Sequence, residues 1–317
     1  MKNILITGGA GFIGSSLIDY LLVSDENYII AIDNYDSFYS INLKIRNQKK
    51  HFEKTNFEFH ELDIRNIEKL KLNRKIDCII HLAAKAGVRE SIKNAKEYFD
   101  VNINGTLAML EYAKDNKIAQ FVFASSSSIY GINPNIPWVE NETELLPISP
   151  YASSKLACEN IGYTYSHLYN IRFIALRFFT VYGPKQRPDL AINKFFINIL
   201  KGRSIEMYGN GETIRDYTYI EDIIFGITKA MHYNDTMYEI INLGNSNAIC
   251  LKDLVDEISH ITGLSVNIIN KDEQKGDVPK TYANIQKGMK LLNYNPQIKI
   301  NEGLKKQYEW IINNQDD

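Results

Sequence analysis

The run Thr7-Gly8-Gly9-Ala10-Gly11-Phe12-Ile13-Gly14 limits what this chain can fold into more than any other stretch, because it follows an apolar segment and opens an amphipathic one. It satisfies Gly-x-x-Gly-x-x-Gly and, from Gly9, also Gly-x-Gly-x-x-Gly. Missing side chains let a strand-to-helix turn close tightly. They also leave backbone N–H groups bare at a helix N-terminus, where the dipole favours an anion such as a pyrophosphate. Asp33 ends the next apolar run 19 residues after Gly14, the place of a carboxylate that accepts hydrogen bonds from a ribose diol. Asn34 and Tyr35 follow it, with no adjacent Arg or Lys to receive a 2′-phosphate, so the sequence predicts NAD rather than NADP.

Short runs rich in Ile, Val and Phe recur at residues 3–7, 28–33, 56–61, 78–81, 120–125 and 173–178, with connections long enough for a helix between them. Strands buried on both faces by crossover helices read this way, and residues 11–24, 95–116 and 151–169 are the clearest helices. The expected fold is α/β, a Rossmann-type doubly wound parallel sheet. Beyond Thr180 the pattern breaks into short strands (205–208, 238–242, 266–269) and helices (190–201, 219–232, 251–262, 302–313) separated by Gly- and Pro-bearing loops. This predicts a smaller α+β substrate-binding lobe on the carboxyl ends of the sheet. Residues 1–180 with about 219–245 would form the NAD-binding domain, and 181–218 with 246–317 the lobe.

Thirty-six basic residues against 38 acidic ones argue against a partner that is a nucleic acid or an anionic membrane surface. The basic set holds 27 lysines and nine arginines, so each Arg is worth locating as a planar fork for carboxylate or phosphate. No apolar run reaches the roughly 18 to 20 residues that span a bilayer. The first residues enter a strand without the apolar core and cleavage site of a secretion signal. Three distant cysteines (Cys78, Cys158, Cys250) and six histidines outside metal-ligand spacing point to a reduced, cytoplasmic protein without metal.

Tyr151 and Lys155 stand at i, i+4 on a helix, so phenol and ammonium share a face and the positive charge would favour the phenolate. Upstream, Ser125-Ser126-Ser127-Ser128-Ile-Tyr130-Gly131 ends the fifth strand, where ligands of an open α/β sheet bind, so these hydroxyls should face nicotinamide and substrate. Arg89, Arg177, Arg187 and Arg215 are four of the nine arginines, with Arg187-Pro-Asp189 and Arg215-Asp-Tyr217 in polar, loop-like settings, and they read either as surface ion pairs or as a site for a phosphorylated or carboxylated substrate.

Together with His81-Leu-Ala-Ala84, Asn102-Ile-Asn-Gly-Thr106, Leu176-Arg-Phe-Phe-Thr-Val-Tyr-Gly183 and Gly276-Asp-Val278, these motifs resemble the extended short-chain dehydrogenase/reductase family, and within it the nucleotide-sugar epimerases. The resemblance makes Tyr151 the acid/base on a sugar hydroxyl, Ser126 its hydrogen-bonding partner and Lys155 the residue that holds the nicotinamide ribose and lowers the phenol pKa. It makes Gly8, Gly11, Phe12, Ile13, Gly14, Asp33, Asn34, Asp63, Ile64, Leu82, Ala83, Ala84, Lys85 and Asn102 the cofactor residues, with Asp63 and Ile64 at adenine. Tyr208, Arg215 and Asp277 match positions that hold the nucleotide diphosphate.

Related dehydratases and decarboxylases carry acids where this chain has Ser127 and Ser128, which favours simple C4 epimerisation. The segments around Arg89, Thr180, Arg187 and Asp277 are most similar to UDP-glucuronate 4-epimerases. Arg187 with Thr180, and then Arg89, are the candidates for the C6 carboxylate. Lys85 stands where that group carries Gln, and small Thr281 leaves UDP-glucose and UDP-N-acetylglucosamine as alternatives. A dehydratase or decarboxylase, or a non-catalytic NAD sensor, is a further alternative. The resemblance also implies a homodimer through the helices at 95–116 and 151–169. Leu107, Leu110, Ile161 and Leu168 would supply the contact or pack on the sheet.

Overall fold

Strand β1 (Lys2–Thr7) leads through the glycine turn into α1 (Phe12–Leu21), and β2 (Asn27–Asp33) returns parallel to it. The chain continues through α2 (Ile41–Gln48), β3 (Phe57–Glu61), β4 (Cys78–His81), α3 (Val88–Lys93), α4 (Ala95–Phe99), α5 (Gly105–Asp115), β5 (Gln120–Ser126), α6 (Pro150–Tyr169) and β6 (Arg172–Phe178). Then come β7 (Thr180–Tyr182), α7 (Ala191–Leu200), β8 (Ile205–Tyr208), β9 (Ile214–Tyr219), α8 (Ile220–His232), β10 (Tyr238–Leu243), β11 (Ala248–Cys250), α9 (Leu251–Thr262), β12 (Ile268–Lys271), α10 (Gln286–Leu292) and α11 (Ile300–Ile312). This computed structural model describes residues 1–272, 274 and 276–314.

Seven parallel strands form the main sheet in the order β3-β2-β1-β4-β5-β6-β10. The order reverses between β1 and β4, which opens a crevice at the strands' carboxyl ends. Because side chains alternate along a strand, Ile4 and Ile6 of β1 join a layer with Leu17 and Ile18 of α1 and Ile223 and Ile227 of α8, while Leu5 joins Met109, Leu110 and Cys158 on the other face. All three β1 residues are fully buried, which is why the strands read as unbroken apolar runs. The segment expected as a short strand at 238–242 is the seventh strand of this sheet. After β6 two smaller sheets, β11-β9-β7 and β12-β8, stand apart from it.

The helix expected over residues 95–116 is broken. A π-helical turn at Asp100–Asn104 separates α4 from α5. Buried Asn102 in this turn faces the segment after β4, where its amide accepts from Lys85 N at 2.8 Å and donates to Lys85 O at 3.0 Å. Gly105, just after the turn, lets Ile64 come close: a Cβ there would stand 2.5 Å from the Ile64 Cδ1.

Candidate active site

The β1–α1 turn has the shape of a pyrophosphate cradle. Gly8 has φ +72°, and a Cβ on it would lie 2.9 Å from the Ala83 amide nitrogen, while one on Gly14 would meet the Gly8 carbonyl at 2.1 Å. Neither position accepts a side chain, and together with Gly11, Phe12 and Ile13 they floor one long cleft. Beneath them His81 is fixed between Thr7 Oγ1 (2.7 Å) and Thr106 Oγ1 (3.1 Å), and burial pushes its pKa down to about 3, so it is neutral and structural.

Asp33 lines the cleft with its carboxylate set by the Ala10 and Tyr35 amides at 3.1 and 2.9 Å. Spare lone pairs remain for a ribose diol. Asn34 and Tyr35 are not the whole surroundings, however: Lys44 of α2 places Nζ 3.5 Å from Asp33 Oδ1, a cation that adjacent sequence does not reveal. Asp63, held by Arg65 and Asn34, and Ile64 border the same end, and Leu82, Ala83 and Ala84 form the wall. Glycine turn, carboxylate and flat apolar wall together suit a dinucleotide in extended form.

Asn102 supports this wall rather than lining it. It does not border the cleft but stands behind the wall, on the Lys85 backbone and Ser154 Oγ. Lys85 itself bridges Asp36 (2.9 Å) and Glu97 (2.8 Å), tying the segment after β2 to α4 across the cleft. Lys85→Gln, the residue of the resembling group, is expected to lower stability by about 1 kcal/mol and to reduce the NAD retained through gel filtration. A urea titration and the absorbance of the eluted protein measure the two.

Ser149 caps α6 by accepting from the Ala152 amide at 3.2 Å, and Pro150 fits its first turn. That start sets the helix phase that turns Tyr151, Lys155 and Glu159 to one face. Tyr151 packs edge-on to Tyr98, with ring centroids 6.4 Å apart. Burial raises the phenol pKa, while the Ser126 hydroxyl and the Arg187 charge pull it down. Lys155 was expected to supply that charge. Its Nζ instead donates to the Ala124 carbonyl at 2.7 Å and sits 4.7 Å from the Phe123 ring centroid, and burial lowers its pKa to about 8. Both side chains line the cleft beside Ser126, Ser127 and Ser128. Ser125 differs from its neighbours in that its hydroxyl is given to Glu159 Oε1 at 2.5 Å.

The four arginines separate. Arg187, Arg215 and Thr180 line the cleft, with Arg187 close enough for its charge to act on Tyr151 and Arg215 within reach of the Asp277 charge. Arg215 donates to the Ile214 and Pro279 carbonyls and pairs with no carboxylate among the described residues, so its charge is open to a phosphate. Arg89 does not border the cleft: it holds Asp277 at 2.7 Å and stacks over Tyr208, itself outside the lining. Together they form a brace behind Asp277. Arg177 is no ligand at all, being 1% exposed and paired with Glu159 at 2.8 Å. Sequence reasoning missed Lys44, Asp36, Glu97, Phe38 and Tyr39, which line the cleft from loops and short helices without a motif of their own. The hydrogen bonds that place Asn102, Arg89 and Arg177 span 17 residues or more.

Among the described residues no cluster of His, Cys, Asp and Glu could hold a metal ion, and no helix is long and apolar enough to cross a membrane. A family model described as GDP-mannose 4,6 dehydratase matches residues 5–307. An uncharacterized protein of Methanocaldococcus jannaschii is 44% identical over 99% of this chain and 98% of its own. A UDP-glucuronate 4-epimerase of Thermodesulfobacterium geofontis is 39% identical over 98% of this chain and 96% of its own. The solved UDP-glucuronic acid 4-epimerase of Bacillus cereus, in complex with UDP-glucuronic acid and NAD, superposes with a TM-score of 0.91 at 32% identity, covering 98% of this chain and 99% of that one.

Proposed function

The chain belongs to the GDP-mannose 4,6 dehydratase family of extended short-chain dehydrogenase/reductases and is an NAD-dependent UDP-sugar 4-epimerase; on that premise we propose that it converts UDP-glucuronate to UDP-galacturonate. The observation that carries the substrate choice is Arg187, a guanidinium in the same cleft as Tyr151 and Thr180, where a C6 carboxylate would otherwise lie uncompensated. NAD held by the glycine turn, Asp33 and Lys155 would supply a hydride acceptor and donor at C4 of the sugar.

In this reading Tyr151 takes the O4 proton and gives it back, with Ser126 hydrogen-bonded to the same oxygen. Lys155 holds the nicotinamide ribose, Asp33 the adenosine ribose, and Asp63 and Ile64 the adenine. Arg215 and Asp277 hold the diphosphate, and Arg187 with Thr180 the carboxylate. Ser127 and Ser128 offer hydroxyls and no acid, so nothing there promotes loss of water. Residues 1–180 with about 219–245 serve the cofactor, and 181–218 with 246–317 the nucleotide sugar.

Incubating the purified protein with UDP-glucuronate, without added NAD, is expected to yield UDP-galacturonate by NMR. No UDP-galacturonate, with turnover of UDP-glucose or UDP-N-acetylglucosamine instead, would move the substrate to a neutral sugar.

The homodimer is part of the same proposal. Leu107 of α5 and Leu168 of α6 stand 38% and 58% exposed and are free to pack on a second copy, whereas Leu110 is fully buried in the monomer core. Leu168→Glu is expected to shift the mass by light scattering from dimer toward monomer. The cytoplasm is the proposed compartment, where the unpaired thiols of Cys78, Cys158 and Cys250 persist.

A further inference from the structure

Asp189 lies two residues beyond Arg187, in the loop between β7 and α7, and takes the side-on edge of its guanidinium. Nε donates to Oδ1 at 2.9 Å and Nη2 to Oδ2 at 2.6 Å. The guanidinium also lies over Phe38, 5.2 Å from the ring centroid, and Nη2 reaches the Ala86 carbonyl at 3.5 Å. A guanidinium offers five N–H donors in a rigid plane. Asp189 uses one edge, and Nη1 makes no hydrogen bond among the described residues. Carboxylate on one side, aromatic face and carbonyl on the others fix the plane and leave the Nη1 edge for a ligand.

We propose that Asp189 is a positioning residue for the epimerisation of uronates: it fixes the plane of Arg187, so that the C6 carboxylate is gripped in one orientation while C4 is a ketone. The inference rests on the UDP-glucuronate reading.

The orientation matters because a uronate oxidised at C4 is a β-keto acid. If the C5–C6 bond turns perpendicular to the plane of the C4 carbonyl, it breaks heterolytically. Its electron pair moves into a C4–C5 enolate, CO2 leaves, and a proton from water then adds to C5. The C4 hydrogen returned afterwards gives a UDP-pentose, so the sequence is redox-neutral and its products are pentose and CO2. A carboxylate bound edge-on to a fixed fork keeps the C5–C6 bond near the carbonyl plane, where this overlap is poor. A guanidinium free to swing would lose that control.

Asp189→Asn is close in shape and sits where the native carboxylate is 34% exposed, so the fold should tolerate it. Arg187→Lys, which keeps the charge without the fork, is the second variant. With UDP-glucuronate labelled at C6, products are read by NMR and CO2 by trapping. Both variants are expected to raise the ratio of pentose to galacturonate by about tenfold over wild type, the scale of a small misplacement of a reacting group. Asp189→Glu should restore it in part. A residue of merely structural importance would slow both products alike and leave the ratio unchanged. An Asp189→Asn enzyme with wild-type partition overturns the proposal. A wild-type enzyme that leaves UDP-glucuronate untouched overturns the substrate reading, and the inference with it, and the wild-type control alone reveals that.

Discussion

Tyr151→Phe is expected to slow C4 epimerisation by about 10³-fold, within the range that a positioned acid/base contributes, while the protein still folds and retains NAD. The ring keeps its edge contact with Tyr98, so only the hydroxyl is lost. What makes that hydroxyl effective is its setting. Burial favours the protonated phenol, and the Ser126 hydroxyl and the Arg187 charge work the other way. Because the phenolate is the form that takes a proton from O4, kcat/KM should rise with pH through the Tyr151 pKa. Arg187→Gln removes a cation that favours the phenolate, so that rise should move to higher pH. A pH–rate profile of wild type, Arg187→Gln and Tyr151→Phe measures both effects. Activity of Tyr151→Phe within tenfold of wild type would remove Tyr151 from the acid/base role.

The main sheet could be read from sequence because its strands are buried on both faces, leaving continuous apolar runs such as Ile4-Leu5-Ile6 that no loop would carry. Strand β9 could not, since Arg215 and Asp216 interrupt its pattern, and Asp216 is tolerated only because the Asn245, Ser246 and Ala283 amides all donate to its carboxylate. The cofactor cradle was legible for a related reason: glycine spacing is a direct imprint of backbone approach, as the 2.1 Å clash at Gly14 shows. Ion pairs leave no such imprint. Lys85 with Asp36 and Glu97, and Lys44 with Asp33, form only once the sheet has brought its crossover segments together. Sequence left Arg177 open between ion pair and ligand because an arginine near the end of a strand carries no sign of which way its side chain turns. Its register partner on β5 is Ser125, and both point to Glu159.

That arrangement makes Arg177→Met the substitution with the largest expected cost in stability, about 3–5 kcal/mol, because it leaves Glu159 charged and unpaired in the interior. Arg177 and Glu159 side chains are each 1% exposed, joined by two hydrogen bonds of 3.0 and 2.8 Å. Arg177 also donates to Tyr130 Oη at 2.9 Å, and that hydroxyl donates to Asn242 of β10 at 2.8 Å, so one guanidinium links β6, α6 and the edge strand. Against the 5–15 kcal/mol of an ordinary domain, such a loss leaves the fold marginal. The double substitution Arg177→Met with Glu159→Leu should recover most of it, since replacing both partners removes the stranded charge. Glu159 continues the helical face that bears Tyr151 and Lys155, so the single substitution should also lower kcat by loosening α6 against the serine turn. Urea unfolding of the two single variants and the double variant completes the cycle. A loss below about 1 kcal/mol for Arg177→Met would mean that water reaches Glu159 and that the pair does not fix the catalytic helix.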